Sequence, residues 1–185
     1  MRPPPARRYV RRTVLLVGEG DAELAFIKHL KSLYGTRNNS LAVTVKNARG
    51  KGALGVVDFA IRQSRNAVYN VKAALLDTDT DWNKKTEAVA QKAKVQVVAS
   101  HPCIEARLLA LHGELTQNLS SAKYKQVFAK RFGAEAHDGN VYAKHFPLEL
   151  LNRAKGDSKP LAQLLALLDA GDDDVKGAGR LATSS

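Results

Sequence analysis

Four apolar runs of five or six residues, each closed by a polar or glycine-bearing turn, leave this chain few folds to choose from. The first, residues 13–17 (TVLLV), has no polar break. Such a run reads as a strand buried on both faces of a parallel sheet. Three more follow at 41–45, 71–76 and 95–99, separated by helical patterns at 22–34, 54–65 and 83–92. A polar loop is expected at 36–40 and a glycine-bearing basic loop at 47–52. This βαβαβαβ order predicts a four-stranded parallel sheet wrapped by crossover helices. Beyond it the spacing predicts helices at about 102–112, 121–131, 147–154 and 160–169, with Pro102 suited to a first helical turn.

The chain of 185 residues reads as one domain. Its parts are a basic arm (1–11), an α/β core (12–113), a helical C-terminal extension of the same domain (114–170) and a glycine-rich tail expected to be disordered (171–185). Lys and Arg number 29 against 18 Asp and Glu, a formal net charge of +11 that favours a polyanionic partner, nucleic acid above all. Arg7, Arg8, Arg11 and Arg12 concentrate part of it at the start. No apolar run approaches the roughly 20 residues of a membrane helix, and no apolar segment follows the basic start as a secretory signal requires. The single Cys103 excludes an internal disulfide and fits a reducing cytoplasm.

Chemistry gathers where the strands end. Glu19 follows the first strand within Gly18, Glu19, Gly20 and Asp21, and Glu23 follows in the first helical turn. Open α/β sheets place ligand sites at the carboxyl ends of their strands. The third strand ends on Asp77, Asp79 and Asp81. In extended backbone, residues i and i+2 point the same way, so Asp77 and Asp79 converge. Hard oxygen ligands of this kind suit Mg²⁺ or Mn²⁺. Helix capping is the competing reading, above all for Asp81, which stands just before Trp82 and Asn83.

The order strand–Glu–Gly followed by strand–Asp–x–Asp resembles the Toprim domain of topoisomerases, primases and OLD-type nucleases. A closer resemblance is to the RloB-like family, Toprim-like proteins encoded beside ATPases in bacterial defence and restriction loci. Residues 17–26 (VGEGDAELAF) resemble that family's opening, in which a Glu-Gly pair is followed by a second Glu, here Glu19, Gly20 and Glu23, with Ala22 where the family has Thr. Residues 100–112 (SHPCIEARLLALH) are similar to its S-N-P-C-F-E-x-W-L-L-L-H segment, and Tyr142 to Lys144 to its Y-x-K. His101, Ile104 and Arg107 replace its Asn, Phe and Trp, and residues 156–162 depart from its polar segment.

The resemblance implies a Toprim/Rossmann-like fold, metal ligation by Glu19, Asp77 and Asp79, and a general acid/base role for Glu19. It also implies that Glu105 is either a second-metal ligand together with Glu23 or an acid set back behind the ligands, that Lys144 neutralises charge as a catalytic residue (a solvated lysine being the competing reading), and that a gating ATPase of the OLD/AAA type is the partner. On its residue type alone, Glu105 is equally an acid stabilised by the start of its helix. His112 reads as a helix-end residue that packs or caps. Arg49 and Lys51, beside Gly50 and Gly52, would contact a phosphate backbone, as would Arg107, but the loop lacks a P-loop pattern. Cys103 reads as a buried small residue, and the histidines show no zinc-ligand spacing.

The expectation is therefore a cytoplasmic, metal-dependent nuclease acting on DNA or RNA in phage defence. A non-catalytic nucleic-acid-binding or ATPase-adaptor subunit is the alternative, and a phosphotransfer enzyme acting on a small nucleotide a more distant one.

Overall fold

The computed structural model describes residues 12–35, 41–78, 81–114 and 118–169. The expected arm (1–11), the polar loop (36–40), Asp79 and the tail (171–185) lie outside them. The strands are β1 (Arg12–Gly18), β2 (Leu41–Asn47), β3 (Val71–Asp77) and β4 (Val95–Ser100). They form one sheet in the order β2-β1-β3-β4, every neighbouring pair parallel.

Alternation along the strands sorts the core into two layers. Val14, Leu16, Ala73, Leu75 and Val98 face one side, where they meet Phe26, Ile27 and Leu30 of α1 (Asp21–Leu30). Leu15, Val17, Ala74 and Leu76 face the other, against α2 (Gly52–Gln63) and α3 (Lys84–Lys92). Both faces of β1 are buried, which is why it reads as an unbroken apolar run. Leu15, Leu16 and Leu76 are each at most 1% exposed. Truncating one to Ala would cost about 2–5 kcal/mol.

The remaining helices are α4 (Ile104–Leu111), α5 (Ser121–Phe132), α6 (Gly139–His145), α7 (Leu148–Ala154) and α8 (Lys159–Leu168). They share the layer and the core of α1, with Phe128, Phe146 and Leu164 at its centre. The stripe of leucines in α8 is core, as its spacing indicates. No helix among the described residues is long and apolar enough to cross a membrane.

Three local differences from the sequence reading have physical causes. The pattern at 22–34 divides into α1 and a π-helical segment, Lys31–Gly35. Pro102 stands outside α4, after a cis His101–Pro102 bond, and Cys103 takes the N-cap position. The sequence pattern gave no sign of α6, a seven-residue helix started by the Asp138 side chain, which accepts from the Asn140 N–H. Burial of Val141 and Tyr142 holds it in place.

Asp81 does not cap the helix that follows it. Asn83 does, accepting from the N–H groups of Lys85 and Thr86. Asp81 reaches back instead to the start of α2, where its Oδ2 accepts from the Ala53 N–H at 2.8 Å. Only glycine fits beside it. Gly52 has φ +67°, and a Cβ there would stand 2.2 Å from Asp81 Oδ2. Gly52→Ala should therefore destabilise by about 1–3 kcal/mol, and Asp81→Ala by about 1 kcal/mol through the lost cap. Because the two changes remove one shared contact, urea unfolding of the double variant should give less than the sum, by at least about 0.5 kcal/mol. Strict additivity would contradict this account.

Candidate functional site

The chain steps from β1 one way to β2, then back across β1 to β3, and α1 and α2 accordingly lie on opposite faces. A crevice opens where that direction reverses, outside the carboxyl ends of β1 and β3. Glu19 and Asp77 occupy those two strand ends.

Glu19 is fixed at three points. Its N–H donates to the Leu75 carbonyl at 3.0 Å, and its carbonyl accepts from the Gly50 N–H at 2.7 Å. Its Oε2 accepts from the Asp77 N–H at 2.9 Å, so the carboxylate lies over the end of β3. Asp77 in turn sits opposite Ser100 of β4. The backbone approach is close here: a Cβ on Gly18 would meet the Leu24 nitrogen at 2.9 Å and Glu23 Cβ at 3.0 Å.

Behind Glu19 lies a buried acid pair. Glu23 and Glu105 are each 5% exposed. Glu23 Oε2 accepts from the Gly20 N–H at 2.9 Å. Burial pushes the Glu23 carboxyl up to about 7, against those backbone hydrogen bonds, and the charges of Glu105 and Glu19 push the same way. Glu105 stands in the first turn of α4, and its Oε2 has no hydrogen-bond partner among the described residues.

Tyr142 closes this pocket of acids. It is fully buried, and its hydroxyl donates to the Ala136 carbonyl at 2.6 Å and lies 3.3 Å from that of Ala22. Burial first, then the charges of Glu23 and Glu105, hold its phenol well above the ordinary value. Sequence reasoning quoted Tyr142 without giving it a role; the signal was an aromatic two residues before a lysine. Cys103 is buried, and its thiol is pushed up to about 12 by burial and then by Glu105 and Asp77. It is an unreactive packing group.

The basic candidates divide between the two ends of the sheet. Arg49 and Lys51 are exposed on the β2–α2 loop, where Gly50 bonds Glu19. Arg107 is half-buried at the end of β4: its Nε donates to Ser100 Oγ at 3.2 Å and an Nη to the Ala99 carbonyl. Desolvation lowers its pKa, while the Asp77 charge works the other way. Arg12 instead begins β1 and donates to the Asp169 carbonyl at 3.3 Å. Six residues of strand, roughly 20 Å, separate it from Gly18. It belongs to the opposite end of the sheet from the acids.

Arg7, Arg8 and Arg11 lie outside the described residues. Lys144 is exposed, about 200° around α6 from the buried Tyr142. No contact joins it to the acids among the described residues. His112 ends α4 and packs against Phe132 and Phe146, with its pKa lowered chiefly by burial, as a packing residue.

The donors are the hard oxygens that Mg²⁺ or Mn²⁺ takes, and the orphaned Glu105 oxygen is an acceptor in need of a partner. Among the described residues, no three His, Cys, Asp or Glu side chains converge as a metal-binding group. The acids form two neighbouring pairs, Glu19 with Asp77 and Glu23 with Glu105.

Glu23 gives a measurable pH dependence. In the unfolded chain its carboxyl ionises near pH 4.3, in the folded protein near 7. Between those values the folded state keeps a proton that the unfolded state has lost. Stability therefore falls as pH rises through this window and levels off above it, by up to about 4 kcal/mol for this group. Urea unfolding in EDTA should show Glu23→Gln matching the wild type near pH 4 and exceeding it at pH 8. Parallel curves at every pH would count against the burial of this acid.

The chain matches no family model, no curated protein and no solved structure.

Proposed function

We propose that this protein is a metal-dependent nuclease that hydrolyses phosphodiester bonds of DNA or RNA. The observation that carries the reading is the Glu19–Asp77 pair at the crevice between β1 and β3, held by the 2.9 Å bond from the Asp77 N–H to Glu19 Oε2. Carboxylates gathered at one crevice repel each other, and a divalent cation would relieve that repulsion.

Mg²⁺ or Mn²⁺, when bound, supplies charge neutralisation and polarisation of a phosphoryl oxygen. Glu19, Asp77 and Asp79 would hold it, with Glu23 and Glu105 supplying a second set of oxygens. Glu19 is the group set to take a proton from attacking water, because its backbone and its Oε2 fix its orientation. Arg49 and Lys51 stand beside it to receive the phosphate backbone, with the surplus charge of +11 behind them.

The resemblance to RloB-like, Toprim-type proteins supports the same reading. It adds a cytoplasmic setting in a bacterial defence locus, a partner ATPase that gates cutting, and a charge-neutralising role for Lys144. The second reading is a non-catalytic nucleic-acid-binding or ATPase-adaptor subunit. One observation favours it: Glu23 and Glu105 are each 5% exposed, so this half of the acid set is closed off from solvent.

Labelled plasmid, single-stranded DNA and total RNA incubated with Mg²⁺ or Mn²⁺ test the proposal, with the partner ATPase and ATP added in parallel. Cleavage should appear with metal, vanish in EDTA, and fall by about 10²–10⁴-fold in Glu19→Gln and in Asp77→Ala. Wild-type silence in every arm, with nucleic acid still bound, would select the adaptor reading.

A further inference from the structure

A cleft of about 620 Å³ opens on the far side of Arg107 from Asp77, between α4, α5 and the turn joining α7 to α8. The acid site makes no use of it. Its inner wall is Arg107, bonded to Ala99 and Ser100 at the end of β4. Asp77 pairs with Ser100 across the sheet, and Ser100 bonds Arg107, so two contacts link the candidate metal-ligating acid to the cleft wall.

Tyr124, Ala154 and Pro160 give the cleft an apolar lining, and Arg153 and Lys159 stand at its α7–α8 side. Neither cation has an ion-pair partner among the described residues. Two carboxylates, Glu114 and Asp157, also line the cleft, and Glu114 is already paired with Arg131. What remains is a partly apolar concavity in which Arg153 and Lys159 face one acid, Asp157, that has no ion-pair partner among the described residues, with Arg107 at the inner wall.

That is the chemistry of a flat aromatic group carrying a negative charge. The volume lies within the range of clefts that enclose a single small ligand. A duplex keeps its bases stacked and cannot enter, whereas an unpaired nucleotide can turn its base inward and leave its phosphate at the cationic edge.

We infer that the cleft seats one unpaired nucleotide flanking the scissile phosphate, which makes single-stranded nucleic acid, or an unpaired segment of a folded one, the substrate class. The inference rests on the nuclease reading for the meaning of "scissile", but its test does not. The full chain in EDTA is titrated by fluorescence anisotropy against a labelled single strand and a hairpin duplex of the same composition.

The wild type should bind the single strand about tenfold more tightly. Arg153→Ala/Lys159→Ala should remove most of that preference and flatten the dependence of log K on log salt by about 1.4. Ala110→Trp, at an exposed position on the cleft wall, should do the same to the preference with no change in charge. Lys84→Ala/Lys85→Ala on α3 removes equal charge elsewhere and should leave the preference intact.

Equal losses in both double variants would make the effect one of net charge and overturn the proposal. So would equal wild-type affinity for strand and duplex, or a free mononucleotide competing as well as the strand. Cleavage that persists while the preference is absent would sink the cleft and leave the nuclease standing. A cleft-dependent preference without metal-dependent cleavage would do the reverse.

Discussion

A parallel sheet buried on both faces has no free surface of its own. Every side chain along the middle of β1 and β3 is committed to one apolar layer or the other, and a charge placed there would lack water and partners alike. Polar chemistry is pushed to where the ladder stops. Reversal of the strand order after β2 then decides which strand ends stand apart enough to admit a ligand. Glu19 and Asp77 are where they are because these two rules meet at the same crevice. The hydrogen bond between them extends the ladder by one side-chain link, so their spacing inherits the rigidity of the sheet.

The same constraint explains what the sequence made legible. β1 and β3 announced themselves as largely apolar runs because both faces of each are buried along the middle, and the acids announced themselves as charges immediately after those runs. Partners distant in sequence were not legible. Asp81 sits beside a helix start and was open to reading as its cap, yet it serves α2, 28 positions earlier. The sequence carries its capping chemistry without its address. Arg12 carried the right charge for a polyanion site, but strand direction sends it to the other end of the sheet. The α6 helix opens with Gly139 and Asn140, poor helix formers, and exists because the core takes up Val141 and Tyr142.

The state of Glu23 was equally out of reach. A carboxylate in the first turn of a helix ordinarily gains from the helix dipole, and nothing in residues 18–26 says otherwise. Its carboxyl is pushed up chiefly by burial, with the charges of Glu105, 82 positions further along the chain, and of Glu19 acting the same way. Folding here holds unfavourable burial of two acids inside an otherwise apolar layer. Such local conflicts with packing mark positions kept for something other than stability.

The carboxylate of Asp81 on the start of α2 has a mechanical side. It ties the segment that leaves β3, which carries the acids, to the loop that leaves β2, which carries Arg49 and Lys51. The second loop is already joined to Glu19 through the Gly50 N–H. Three successive strand exits thus form a closed ring of short bonds around the crevice rather than three independent arms. A force applied at any one of them is shared by the other two. The described part of the crevice rim is thus tied at three points, Glu19 to Gly50, Asp77 to Glu19 and Asp81 to Ala53.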